Sequence, residues 1–65
     1  MIGKVIRWDD SNGYGFIECD EDKKWCFVHY SNIITDRKSL TPGEHVEMEF
    51  TQTDRGYQAI NVKNQ

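Results

Sequence analysis

Two short stretches constrain this chain more than any other feature: Asn12-Gly13-Tyr14-Gly15-Phe16-Ile17-Glu18 and Cys26-Phe27-Val28-His29-Tyr30. Each carries rings two residues apart. Along a strand, residues i and i+2 share a face. Tyr14 and Phe16 therefore share one face, as do Phe27 and His29. Ile17 and Cys19 point the other way, as do Cys26 and Val28. Pairing across the polar turn Asp20-Glu21-Asp22-Lys23-Lys24 predicts a sheet with one aliphatic and one aromatic face. The aliphatic face suits a core. A chain of 65 residues has little left to cover the aromatic one. Rings open to water suit the stacking of unpaired nucleic-acid bases, because every base has a π face.

The rest of the chain reads as further short strands. Residues 2–8 form the first, with Val5 inward and Lys4 and Ile6 on the other face. Asp9-Asp10-Ser11-Asn12-Gly13 is a turn in which Asn-Gly supplies positive φ. Residues 14–19 and 25–30 are the second and third strands. Ser31-Asn32-Ile33-Ile34 is expected to make one helical turn capped by Ser31. Residues 35–43 form a polar connection that ends in Pro42-Gly43. Val46, Met48 and Phe50 alternate with Glu47, Glu49 and Thr51, the period of a half-buried fourth strand. Thr53-Asp54-Arg55-Gly56 is a hairpin turn into a fifth strand, residues 57–63. The expected inner face is Val5, Ile17, Cys19, Val28, Val46, Met48, Phe50, Ile60 and Val62. Five short strands with Gly-containing turns predict an all-β fold, a five-stranded antiparallel OB-type barrel, as a single domain over residues 1–65.

Six of the eight Phe, Tyr and Trp residues fall between Trp8 and Tyr30, so the rings concentrate where such a barrel binds ligands. Gly15, between two rings, has no side chain to compete with a flat ligand. A single aromatic is usually buried. Here the aliphatic residues already supply an inner face, which leaves Tyr14, Phe16 and Phe27 for the outer one. The net charge of −3 weighs against nucleic acid, since most binders are basic. Stacking is local, however, and a small face on an acidic protein need not be acidic. The balance predicts modest affinity, with few phosphates neutralised.

Other functions find little support. The two cysteines lack a CxxC pair and are expected to be buried free thiols. The acidic runs Asp9-Asp10 and Asp20-Glu21-Asp22 lack calcium-loop spacing, so neither metal nor cofactor is expected. No Ser-His-Asp or Cys-His arrangement is legible, which argues against an enzyme or a small-molecule substrate. Hydrophobic content of 37% and the lack of a charged-then-apolar leader point to a cytoplasmic protein without a membrane span. A monomer is expected. The competing class is a protein-interaction module that uses the same aromatic face.

Gly13-Tyr14-Gly15-Phe16-Ile17 resembles the first ribonucleoprotein motif, and Phe27-Val28-His29-Tyr30 the second, in the order found in cold-shock proteins. The resemblance extends to Gly3-Lys4-Val5, Ser31-Asn32-Ile33 and Arg55-Gly56-Tyr57-Gln58-Ala59-Ile60-Asn61-Val62, and so covers essentially the whole chain. It implies binding of single-stranded RNA and DNA with low sequence selectivity, and an RNA-chaperone role in transcription and translation. Pyrimidine-rich strands are expected partners because smaller bases pack more easily on neighbouring rings. The positions that match its stacking residues are Trp8, Tyr14, Phe16, Phe27, His29 and Tyr30. Lys4, Arg7, Lys38 and Arg55 are the candidate cations, and Trp25 falls in phase with Phe27. The chain also departs from the family pattern. Arg7 stands where a Trp is usual, Asn12 where a Lys is usual, and Arg37-Lys38 replace a loop aromatic. These departures imply weaker binding than is typical.

Overall fold

The computed structural model describes residues 1–65 and contains five strands: β1 (Ile2–Asp9), β2 (Tyr14–Cys19), β3 (Trp25–His29), β4 (His45–Thr53) and β5 (Gly56–Asn64). They close into one barrel in the order β1-β2-β3-β5-β4. The ladders are antiparallel, except that β3 meets β5 in parallel at Phe27 and Gln58. A parallel bridge between Ile33 and Val62 continues that seam. The expected all-β barrel is the observed one.

The interior is small and wholly apolar. It holds Val5, Ile17, Cys19, Cys26, Val28, Ile33, Leu40, Val46, Met48, Ala59 and Val62, with Trp8 and Tyr57 packed at its margins. Strict alternation is interrupted twice, and each interruption moves side chains that the sequence pattern had placed elsewhere. In β1 the register jumps between Val5 opposite Ile17 and Arg7 opposite Phe16, so Ile6 is an extra residue. Beyond this bulge Arg7 joins the outer face and Trp8 turns toward the core margin. In β5 the register jumps between Glu47 opposite Lys63 and Glu49 opposite Ile60. The extra residue lies next to Asn61, which takes a left-handed φ of 51°. A bulge of this kind re-aims the strand. It makes Ala59, rather than Ile60, the inward partner of Val62; Ile60 is only half buried.

Phe50 also departs from the expected inner face. It lies opposite Ala59 on the inward side, yet remains 43% exposed. The β4–β5 hairpin runs on past the closed barrel to the turn at Thr53 and Gly56. There Phe50 meets Tyr57 edge-to-face at 5.2 Å. The segment after β3 differs from expectation as well. It is a single 3-10 turn, Tyr30–Asn32, and its cap is His29 rather than Ser31: the His29 ring accepts from the Ser31 backbone N–H. The connection that follows is polar in composition but not wholly exposed, because Ile33 and Leu40 drop into the core.

Cys19 and Cys26 are free and buried, as expected, with their Sγ atoms 3.4 Å apart. Burial, and then the hydrogen bond with Cys19, push the Cys26 thiol from 9.0 up to about 12. The folded chain therefore keeps a proton that the unfolded chain releases. Stability from this thiol is complete below pH 9 and falls as pH rises toward about 12. In urea unfolding, Cys26→Ala is expected to lose less stability than the parent chain across this alkaline window; equal losses would clear the thiol of any part in it. A second prediction concerns the β5 bulge. Asn61→Val, which forces a β-branched residue into a left-handed conformation, is expected to cost about 1–3 kcal/mol. Asn61→Gly should cost less than valine, as only glycine enters that region without strain. The reverse order would show that the conformation is not what selects the residue.

Candidate nucleic-acid interface

Strands β1, β2 and β3 carry the aromatic face, and their register arranges it in rows. Lys4 lies opposite Glu18, and Glu18 opposite Trp25. Arg7 lies opposite Phe16, and Phe16 opposite Phe27. Asp9 lies opposite Tyr14, and Tyr14 opposite His29. The Ile6 bulge brings Arg7 and Asp9 into these rows. The rings of the second and third columns touch in a continuous chain. Trp25 lies 5.9 Å from Phe16, Phe16 5.9 Å from Phe27, and Phe27 5.6 Å from Tyr14, centroid to centroid. The contacts are tilted or edge-on rather than face-to-face, the geometry that ring quadrupoles favour. Tyr14 and Phe27 are exposed, and Trp25 is 53% exposed. Trp25 thus extends the row, and its indole N–H donates to Glu18 at 3.2 Å.

Trp8 sits differently. Its ring lies over the spot where Gly15 lacks a side chain: a methyl there would be 2.9 Å from Trp8 Cε3 and would collide with the Arg7 carbonyl oxygen. Gly15 thus makes room for β1, and an incoming ligand is not what its missing side chain serves. Trp8 is half buried, with its indole N–H donating to Asp10 at 2.5 Å. Beside it, Asp9 organises the turn. Its carboxylate accepts from the side chain of Asn12 and from the backbone N–H groups of Ser11 and Asn12. Those bonds, the Asn12 side chain first, hold Asp9 below the usual carboxylate range.

The far end of the row is built by the 3-10 turn. Tyr30 lays its ring against Gly13, where a methyl would be 2.6 Å from Cδ1, and its backbone N–H donates to the Gly13 carbonyl at 2.8 Å. His29 and Tyr30 rings are 4.5 Å apart. Because Nδ1 of His29 accepts from Ser31, the neutral ring carries its proton on Nε2. That leaves Nε2–H as a donor beside the rings.

Cations are distributed unevenly. Arg37 clamps both carboxylate oxygens of Glu44 at 2.8 Å, and Lys38 donates to the Ile33 carbonyl. The loop charges are therefore engaged locally. Lys63 pairs with Glu47, and Lys24 sits over the Tyr57 ring and donates to its hydroxyl. This bond raises the Lys24 pKa. Lys4, Arg7 and Arg55 have no such partner. Arg55, at the β4–β5 turn, faces Phe16 and Phe27 across a cleft of about 530 Å³ lined also by Thr53, Asp54, Tyr57 and Gln58. The latter four are absent from the sequence-based site. Only the parallel meeting of β3 and β5 brings them there, and local pattern does not encode a long-range pairing.

The family model described as "'Cold-shock' DNA-binding domain" matches residues 1–65. The chain belongs to the cold-shock domain family. This cold-shock domain is 43% identical over 63 residues to the cold shock-like protein CspB of Bacillus cereus, covering 95% of each chain. It is 41% identical over 61 residues to the cold shock-like protein CspE of Escherichia coli, covering 92% of this chain and 88% of the other. Among solved structures, "drosophila Unr CSD456" superposes with a TM-score of 0.79 at 22% identity, over 98% of this chain and 26% of that one. No helix of the cold-shock domain is long and apolar enough to cross a membrane.

The two tryptophans provide a check on this interface. Trp25 is exposed, whereas Trp8 is packed against the core margin. Trp25→Phe is therefore expected to leave blue-shifted emission that acrylamide quenches weakly, and Trp8→Phe the opposite. Equal quenching of both variants would contradict the placement of Trp8.

Proposed function

We propose that this chain binds single-stranded RNA and DNA by stacking bases along the row Trp25, Phe16, Phe27 and Tyr14, and acts as an RNA chaperone. The observation that supports this best is the continuous, solvent-facing ring chain on β2 and β3. Alternative uses of so many exposed rings on a small sheet are few, and base stacking tolerates any sequence. His29 and Tyr30 extend the track toward the 3-10 turn through their own ring contact. His29 Nε2–H adds a donor for phosphate or base. Lys4, Arg7 and Arg55 supply phosphate attraction at the margins. Lys38 stays with the loop and Trp8 backs the platform from beneath. Smaller bases pack readily on closely spaced rings, so pyrimidines suit the row.

Affinity follows from the same inventory. Three cations at the margins of the row, on an acidic chain, give a shallow salt dependence, a slope of about −2 for a single strand. Stacking on each ring contributes about 1–3 kcal/mol. Micromolar binding to a short pyrimidine strand is the expected result.

The deciding experiment is a tryptophan-fluorescence titration with short oligo-thymidylate at two salt concentrations, with a matched duplex as control. The single strand should quench and the duplex should not. Phe27→Ala, at an exposed ring, should fold normally and lose about 1–3 kcal/mol of binding. A folded sample that responds to no single strand would overturn the proposal and assign the ring face to a protein partner. Nanomolar affinity with a steep salt slope would overturn the account of the cations.

A further inference from the structure

Arg7 occupies a position with a chemistry of its own. The Ile6 bulge sets it opposite Phe16 on the outer face, and it lines a cavity of about 220 Å³ with Asp9, Tyr14, Gly15 and Phe16. Its guanidinium makes no hydrogen bond or ion pair within the chain, in contrast to Arg37 on Glu44. A planar fork of donors, exposed to solvent, therefore stands beside a ring floor without a partner in the chain. Asp9, two residues along the same strand, brings an acceptor to the same cavity. Its carboxylate is held in place by Ser11 and Asn12.

We propose that the cavity formed by Arg7, Asp9, Tyr14 and Phe16 is a guanine-reading subsite within the single-strand track. The inference rests on the single-strand reading and adds base selection to it. A base stacked on Phe16 presents its edges outward, toward β1. Guanine places two acceptors, O6 and N7, on one edge, and the N1–H and N2–H donors on the adjacent one. The Arg fork matches O6 and N7, the commonest specific contact between a protein side chain and a base. Asp9 Oδ1 already accepts from two backbone N–H groups, but Oδ2 accepts only from the Asn12 side chain and keeps a lone pair for N2–H. Residues two apart on a strand are separated by roughly 6–7 Å, which suits two adjacent edges of one base.

The other ligands fit less well. Thymine and uracil share a carbonyl and an adjacent N–H with guanine, but set the O2 carbonyl, against the Asp9 carboxylate, where guanine has its 2-amino group. Adenine has a donor between its two acceptors and leaves the fork half used. Cytosine offers only one amino group for the carboxylate. Arg7 still attracts the backbone as a charge, but a phosphate seated inside the cavity would meet the negative charge of Asp9. Phosphate contacts also carry no sequence information, so they predict equal affinity for every strand.

The test uses the intact chain and short thymidylate strands with one central base varied: thymine, guanine, cytosine, adenine, 7-deazaguanine or inosine. Affinities are read from tryptophan quenching and confirmed by competition. The guanine strand is expected to bind about tenfold or more tighter than the all-thymine strand. The 7-deaza base, without the N7 acceptor, and inosine, without the 2-amino group, should each lose part of that gain. Arg7→Lys keeps the charge but not the planar fork, and should lower the guanine-to-thymine ratio several-fold. Circular dichroism of this variant confirms its fold. Equal affinity for guanine and thymine strands, a preference for cytosine, or a ratio unchanged in Arg7→Lys would overturn the inference while the single-strand reading stands. Binding of no strand at all would overturn both.

Discussion

A five-stranded barrel of this size has one interior and no second layer. Side chains that alternate along its strands either reach that interior or face outward, and within residues 1–65 no α-helix or second sheet covers the outside. This constraint explains the division of labour on β2 and β3. Ile17, Cys19, Cys26 and Val28 fill the inside of the barrel, and the rings between them are left outside together. Exposed rings on neighbouring strands lie within contact distance, so they reduce their wetted area by leaning on one another. The platform is therefore a by-product of the same alternation that builds the core. A substitution that shifted the phase of either strand by one residue would empty the core and bury the platform in a single step.

Much of this was readable from residue order. The five strands, the turn glycine at Gly13, the inward cysteines and the shared face of Tyr14, Phe16 and Phe27 follow from a period of two and from turn chemistry. What period two does not contain is an inserted residue. Ile6 and the residue at Asn61 break the count: the inward turn of Trp8 and the exchange of Ile60 for Ala59 on the inner face trace to those two bulges. Phe50 was misread for another reason. Alternation says which side a residue faces, but not whether the barrel still extends beneath it. Leu40 lies in a loop without periodicity, so its burial depends on where the loop crosses the barrel end. The cleft of Thr53, Asp54, Arg55, Tyr57 and Gln58 against Phe16 and Phe27 needs β5 to lie beside β3, a contact between distant parts of the chain.

The electrostatics show why net charge is a poor guide for so small a protein. The chain is acidic by three units, yet several of its carboxylates are occupied. Glu44 holds Arg37, Glu49 accepts from Asn61, and Asp9 and Asp22 accept from their own turns. These contacts use acidic groups as local structural acceptors. Arg7 and Arg55, by contrast, have no partner and lie beside the rings. What an incoming polyanion meets first is the arrangement of unpaired groups, and that arrangement differs from the sum.

The Tyr30–Gly13 contact has a thermodynamic consequence. A ring laid on the turn, together with a backbone hydrogen bond at 2.8 Å, ties the end of β3 to the β1–β2 turn before any ligand arrives. With the other rings already in mutual contact, the receiving surface is largely preorganised. The disorder lost on association then belongs almost entirely to the flexible partner. Its stiffness, more than any rearrangement of the barrel, would set the entropy of complex formation. Chains stacked or paired in advance would be penalised, and loose ones welcomed.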